Sequence, residues 1–447
     1  MERKFYDIHY HLFDLSHPNL LAFLLRDDLI SKDSVKKVLR KLPFFANLVP
    51  IGAAKLFPGK ISDKIKDYLR NDARYFRNLL SVMESAIEFH FLYTEYYLLK
   101  EQRYFGNRDK MLYNKMIICP LLMDFGYKNL NNDDCFYNLP PSKPIAKQVL
   151  DLLNAIRFYY TYELIPHPDK AGRLKVVRSE KTKEEKLFEI YPFLGINTQN
   201  YDLVEIKALF DKYFTGYEND KQPGERQQKL FKKLGTVKVD LEDLIFRIRE
   251  KEDPEYYKYI FAGIKLYPPM AFDPWPEDNP VELEKVKFLY SECIRKKLPV
   301  TIHCSDGGFV TTPNAVLFTD PSKRWQKVLN NPDYKNLKIN FAHLGSQKGG
   351  AKEWLATILS AIKNNKNVYT DCSCVTPQVN DYKAVKVLMT VNSESNILFG
   401  SDFVINLLWS GSYNEYLNNF IETSMLDGQQ KNMLCVSNPE RFLFGER

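Results

Sequence analysis

Apolar runs of four to eight residues, rich in β-branched and aromatic side chains, recur at Phe5–Ile8, Lys115–Cys119, Leu187–Leu194, Phe261–Leu266, Pro299–Cys304, Leu337–Ala342, Asn367–Asp371 and Asn396–Ser401. Each reads as a short buried strand. In the second half the runs begin roughly 30 to 40 residues apart, and stretches between them, such as Val281–Lys297 and Lys352–Asn364, place apolar residues at helical spacing. Eight strands alternating with helices predict an α/β protein whose parallel sheet closes into a (β/α)8 barrel. An open doubly wound sheet is the competing architecture, but no glycine-rich phosphate turn follows the first run.

The first half breaks the period. About a hundred residues separate the first two runs and about seventy each of the next two pairs, against ~30 for a lean βα repeat. The chain therefore reads as one barrel over 1–447, with a helical insertion at about 30–110 and a loop or helix insertion at about 127–186. Within them, Lys36–Gln102 is expected to be mainly helical, Lys147–Leu164 a further helix, and Pro166–Lys186 a loop or hairpin. No uncharged run approaches the ~20 residues of a membrane span, since even Leu79–Leu99 contains Glu84, Glu88 and Glu95.

Composition narrows the class. With 45% hydrophobic, 14% aromatic and 27% charged residues, the chain can bury a core and is not of disordered type. Lys and Arg number 63 against 56 Asp and Glu, a balance of +7 that calls for neither nucleic acid nor membrane as partner. The charged stretches Lys170–Lys186 and Lys221–Lys238 read as solvated surface. Seven cysteines, at 119, 135, 293, 304, 372, 374 and 435, are odd in number and make no disulfide framework. A reducing compartment follows, and with no apolar leader in Met1–Asp14 the expected location is cytoplasmic.

The candidate chemistry gathers at the strand ends. In Asp7-Ile8-His9-Tyr10-His11, strand alternation puts both imidazoles on one face, where they can point at one metal ion. A hydrogen-bonded pair of strand-end histidines is the plainer alternative. His303 follows Pro-Val-Thr-Ile and His343 follows Ile-Asn-Phe-Ala, so four of the seven histidines share one context. A parallel barrel gathers such ends at a single mouth, and three or more make a ligand set. Asp402 ends the run Ile397-Leu398-Phe399-Gly400-Ser401. Its carboxylate suits a metal ligand or a proton acceptor, against the bland role of a helix N-cap. Asp306, in Ser305-Asp306-Gly307-Gly308, sits in a turn that either faces substrate or is only a turn. Arg324 can meet a substrate carboxylate or serve the surface, and Cys304, Cys372 and Cys374 read as small core residues.

Together with Lys265 in Gly-Ile-Lys-Leu-Tyr-Pro, this series of His9-Tyr10-His11, Thr-Ile-His303-Cys, Phe-Ala-His343-Leu-Gly and Phe-Gly-Ser-Asp402 resembles, in order, the metal site of the amidohydrolase superfamily. Asn367-Val-Tyr-Thr-Asp371 and Asn438-Pro-Glu-Arg-Phe-Leu-Phe-Gly bring it nearest the amidohydrolase-related branch that includes aminocarboxymuconate-semialdehyde decarboxylase. The resemblance covers the first strand and roughly residues 187–447; the insertions carry no motif of the family.

That resemblance implies one divalent metal, zinc by preference, on His9, His11, His303 and Asp402, with Asp402 also moving the proton and His343 orienting water or substrate. In two-metal members His343 holds the second ion and Lys265, carboxylated, bridges the pair; unmodified, Lys265 would instead face an anionic substrate group. The expected activity is hydrolysis of an amide, lactone or ester of a small molecule. Non-oxidative decarboxylation of a small unsaturated or aromatic acid is the enzymatic alternative, and a catalytically inactive metal-binding barrel that serves as a ligand-binding module is the alternative of another class. A homodimer is the expectation for assembly.

Overall fold

The computed structural model describes residues 3–14, 73–106, 111–124, 143, 145–222, 224–238, 255–374, 379–389 and 394–445. All eight apolar runs form strands. The first two are β1 (Lys4–Tyr10) and β2 (Lys115–Pro120), and a side hairpin of β3 (Tyr162–Pro166) and β4 (Leu174–Arg178) follows. Next come β5 (Phe188–Ile190), β6 (Phe193–Gly195), β7 (Gly263–Leu266), β8 (Val300–Ile302), β9 (Ile339–Phe341), β10 (Val368–Asp371) and β11 (Ile397–Leu398).

All ladders outside the hairpin are parallel, in the orders β1-β2-β5 and β6-β7-β8-β9-β10-β11. β5 and β6 are one strand position interrupted at Tyr191-Pro192, because proline has no N–H for the ladder. Across the break, Tyr191 N donates to Ile118 O at 2.8 Å and Leu122 N to Phe193 O at 3.1 Å, so the same neighbour continues alongside. At the other end Ile8 N donates to Phe399 O at 3.3 Å and Asp402 N to His9 O at 2.7 Å, while Tyr10 bridges Phe403. First and last strands therefore meet, and the eight positions close the (β/α)8 ring.

Among the described residues the helices of nine or more residues are α1 (Ala73–Met83), α2 (His90–Glu101), α3 (Ile145–Thr161), α4 (Leu203–Phe214), α5 (Glu225–Lys233), α6 (Pro280–Arg295), α7 (Glu353–Asn364), α8 (Val379–Met389) and α9 (Tyr413–Glu422). Their starts are legible in the chain: α6 has Asn279 accepting from Glu282 N at 3.1 Å and Pro280 in its first turn, as the rules of helix entry require. Val286, Leu289, Tyr290 and Cys293 then bury one face at three- and four-residue spacing. α2 and α3, from the insertions, are tied to the barrel by buried Glu95, which accepts from Tyr159 Oη at 2.7 Å and Leu187 N at 2.8 Å.

The expected helical stretch over 36–72 lies outside the described residues. The 166–186 segment contains the arm of the β3–β4 hairpin, one of the two forms expected of it. The 221–238 stretch differs from the solvated surface expected: it contains α5, and Arg226 is buried there. Its guanidinium donates to Asp220 and to the carbonyls of Tyr217, Lys296 and Lys297, satisfying the C-terminal end of α6. Among the described residues no helix is long and apolar enough to cross a membrane, and the six described cysteines are free.

Close approach between strands makes one glycine indispensable. A Cβ on Gly263 would lie 2.4 Å from the Phe193 ring and 2.5 Å from the Pro299 carbonyl oxygen, and the carbonyl belongs to backbone that cannot step aside. Gly263→Ala is expected to cost about 1–3 kcal/mol and lower the thermal midpoint. Gly428→Ala, whose Cβ meets nothing within 4 Å, is expected to leave it unchanged.

Candidate metal centre

β1 delivers its histidines through an irregularity. Asp7 pairs with Ile118 but Tyr10 with Pro120, so β1 holds one extra residue between them, a bulge of the kind that re-aims side chains near sites. Phe5 and Asp7 meet the helical layer, Phe5 against Phe420 and Asp7 accepting from Tyr413 Oη at 2.8 Å. His9 and His11 instead reach Asp402: their Nε2 atoms stand 3.4 and 3.2 Å from its Oδ1. Gly400 permits this approach, since a Cβ there would lie 2.5 Å from His9 Cβ and 3.1 Å from Ser373 Cβ.

Asp371, at the end of β10, organises the floor of the site. Its Oδ2 accepts from His9 Nδ1 at 3.1 Å and Asn340 Nδ2 at 2.7 Å; its Oδ1 accepts from the backbone N–H groups of His343 and Ser373, both at 3.1 Å, and from the Ser373 hydroxyl. Ser373 Oγ also lies 2.9 Å from His343 Nδ1 and 3.2 Å from His9 Nδ1. His343 Nε2 in turn stands 3.2 Å from His303 Nδ1, and His303 Nε2 3.3 Å from Gly307 O. His343, Leu344, Cys374 and Asp402 all have left-handed backbones, with φ of 60°, 53°, 56° and 59°. Such conformations cost about 1 kcal/mol or more each in non-glycine residues and cluster at functional sites.

The hydrogen-bond partners assign the tautomers. His9 donates from Nδ1 to Asp371, His11 from Nδ1 to Leu121 O at 3.1 Å, and His303 from Nε2 to Gly307 O. The remaining nitrogens of His9 and His11 are then lone pairs that face Asp402 Oδ1, and that of His303 faces His343 Nε2. One ligand atom from each of His9, His343 and Asp402 lies within 4.8 Å of the others. The contacts of 3.2–3.4 Å match the about 3.3 Å between neighbouring ligand atoms around a zinc ion with ~2.0 Å bonds. The donor set thus fits a divalent cation, and the fully buried His9 Nε2, which has no hydrogen-bond partner, fits the same account.

Electrostatics agree. Burial alone would raise the Asp371 carboxyl, but the adjoining His9, with His343 and the Ser373 hydroxyl, holds it far below the usual range. Asp402 is likewise held below the usual range by its neighbours, His11 first and then His343 and His9, against the effect of burial. Burial, then the nearby Lys265 ammonium, pushes His9 down to about 3 against the pull of Asp371 and Asp402. Burial also lowers His303 and His343, so these two, like His9, are neutral and available as ligands. Lys265 is 1% exposed, its Nζ has no hydrogen-bond partner, and burial pushes it down to about 8 despite the charges of Asp371 and Asp402.

The fold thus gathers His9, His11, His303, His343, Lys265 and Asp402 at one end of the barrel. Asp306 and Arg324 are engaged elsewhere: Asp306 accepts from Lys348 N at 2.7 Å, and Arg324 pairs with Asp273, Glu277 and Asp278 at 3.8, 2.5 and 3.1 Å. Cys374 departs from the expected core role; it is half-buried with its Sγ against Asp402 Oδ2. Asp371 and Ser373 had no assigned role from sequence, although a carboxylate closing an apolar run was the same signal that marked Asp402.

Residues 250–445 match the family model described as amidohydrolase. That segment, less than half of the chain, holds Lys265, His303, His343 and Asp402, and the match agrees with the resemblance to the amidohydrolase superfamily seen in the motifs. No curated protein matches the chain. Among solved structures, an uncharacterised TIM-barrel protein from Bordetella bronchiseptica is 17% identical at a TM-score of 0.30, over 41% of this chain and 57% of that one, so the alignment spans little more than half of that relative. A protein from Acinetobacter baumannii, described as a 2-pyrone-4,6-dicarboxylic acid hydrolase and holding citric acid, is 12% identical at 0.37 over 79% and 89%. A 2,6-dihydroxybenzoate decarboxylase from Rhizobium is 10% identical at 0.27 over 41% and 62%.

Two outcomes follow from this geometry. Gly400→Ala must displace His9 or Ser373, so zinc affinity, measured by competition with a chelating dye, is expected to fall at least tenfold. Asp7, buried beneath Tyr413 and Ser401, is raised by burial from 3.8 to about 7. A carboxyl raised in the folded state stabilises it fully below pH ~4, and that contribution is lost as pH rises through about 7. Metal-free wild type is therefore expected to lose more stability than Asp7→Asn between pH 5 and pH 8, read by denaturant titration.

Proposed function

We propose that this amidohydrolase-superfamily enzyme hydrolyses an amide, lactone or ester of a small molecule, with a divalent ion, zinc by preference, held by His9, His11, His303 and Asp402. The observation that carries the reading is the convergence of the His9 and His11 Nε2 atoms, at 3.4 and 3.2 Å, on Asp402 Oδ1. A bound divalent ion supplies Lewis acidity for a carbonyl oxygen and brings the pKa of a water toward ~7. Asp402 Oδ1 lies among the imidazoles, so it can take a proton from an attacking water and return it to the leaving group. His343, fixed by Ser373, orients the water or the carbonyl. Asp371 holds His9 in its ligating tautomer.

One observation favours a second reaction on the same site. Among the described residues the buried Lys265 ammonium has no hydrogen-bond partner, and the carboxylate of a small unsaturated or aromatic acid undergoing decarboxylation would supply one. If Lys265 is instead carboxylated, it bridges two ions and hydrolysis is favoured.

Elemental analysis of protein purified without chelator separates these cases. About one zinc per chain, lost in His9→Ala and His303→Ala but kept in Lys265→Ala, is expected of the single-ion site. Nearly two, falling in Lys265→Ala, would indicate a bridge; failure to bind or regain any metal would overturn the proposal.

A further inference from the structure

The Ser373 hydroxyl touches three polar atoms from three places in the chain: Asp371 Oδ1, His343 Nδ1 at 2.9 Å and His9 Nδ1 at 3.2 Å. It is 2% exposed, so water does not complete its bonding. A serine hydroxyl has one proton to give. Asp371 is acceptor-only when ionised, and its other contacts are all donors: His9, Asn340 and two backbone N–H groups. The serine proton therefore goes to Asp371, and Oγ is left to accept from both imidazoles. His9 has a second reason to carry its proton on Nδ1, because Asp371 Oδ2 accepts it there. Among the described residues no other side chain is bonded to His343 Nδ1.

We propose that Ser373 is a positioning residue that transmits the charge of Asp371 to His343, fixing the His343 proton on Nδ1 and so leaving its Nε2 lone pair turned toward His303 and the site. This deepens the metal-centre reading and rests on it for its consequence. Without the hydroxyl, His343 gains by moving its proton to Nε2, where the His303 Nδ1 lone pair stands 3.2 Å away as a ready acceptor. That proton would then occupy the space that the two imidazoles otherwise direct at a cation or a water. Orienting partners of metal-site histidines are worth about 10–100-fold in metal affinity.

The test is made first on metal-free protein, where no activity is needed. With 15N-labelled histidine there are only seven imidazoles to resolve, and the His343 signals are identified by their loss in His343→Gln. Long-range proton–nitrogen correlation is expected to show the wild-type His343 with its proton on Nδ1, Ser373→Thr unchanged, and Ser373→Ala with the proton on Nε2. Zinc affinity is expected to fall 10–100-fold in Ser373→Ala and to be recovered in Ser373→Thr. A wild-type His343 carrying its proton on Nε2 overturns the proposal without any variant, as does Ser373→Ala retaining the Nδ1 proton and wild-type zinc affinity. If the proton moves in Ser373→Ala while the wild type binds no zinc, the role of Ser373 stands and the metal-centre reading falls.

Discussion

A single buried carboxylate carries the arrangement of the site. Asp371 has no exposed surface, and burying its charge is tolerable only because five donors converge on its two oxygens. Those donors come from β1, β9, the turn after β9 and the turn after β10, so satisfying one charge fixes the relative placement of four segments. The neighbouring strand ends inherit their geometry from it. His9 is pinned through its ring, His343 through its backbone N–H and, by way of Ser373, through its ring. The strained left-handed residues His343 and Cys374 flank the same carboxylate, which supplies part of the energy that holds them.

The site that results is acceptor-rich. The Nε2 lone pairs of His9 and His11 face the Asp402 carboxylate, an arrangement that is unfavourable unless a positive charge lies among them. Lys265 is the cation that the described residues contribute nearby, but it is itself depressed toward neutrality and lacks a hydrogen-bond partner. A divalent ion relieves the repulsion among the acceptors, and an anionic group on a substrate would relieve the isolation of the lysine. The barrel interior below is finished with neutral polar groups, Thr301 and Asn340, at the same level as Lys265 in adjacent strands.

Much of this was legible in the chain because parallel strands buried on both faces are written as unbroken apolar runs, and all eight were found that way. Their C-terminal residues His303, His343 and Asp402 could be placed at one mouth from the fold rule alone. What escaped notice depends on contacts between distant segments. The β1 bulge arises from the pairing with β2, and the interruption at Pro192 is visible only against the neighbouring strands on each side. Arg226 looked like one more charge in a basic stretch, and only the carbonyls at the end of α6 explain its burial. Ser373 is unremarkable in a sequence, and its importance comes from three partners it meets only in the folded chain.

The closure of the ring by its first and last strands has a consequence in time. His9 leaves the ribosome well before Ser401, whose side chain reaches back to His9 O and which lies 392 residues later. At about 5–20 residues per second, the two halves of the seam are separated by roughly 20 to 80 seconds of translation. Through that interval the first strand has no partner on one edge and its histidines have no carboxylate opposite them. A nascent chain can begin to collapse around β1 and β2, but the cation-binding geometry comes into being only when the last strand is delivered, which makes loading of the centre a late event in synthesis.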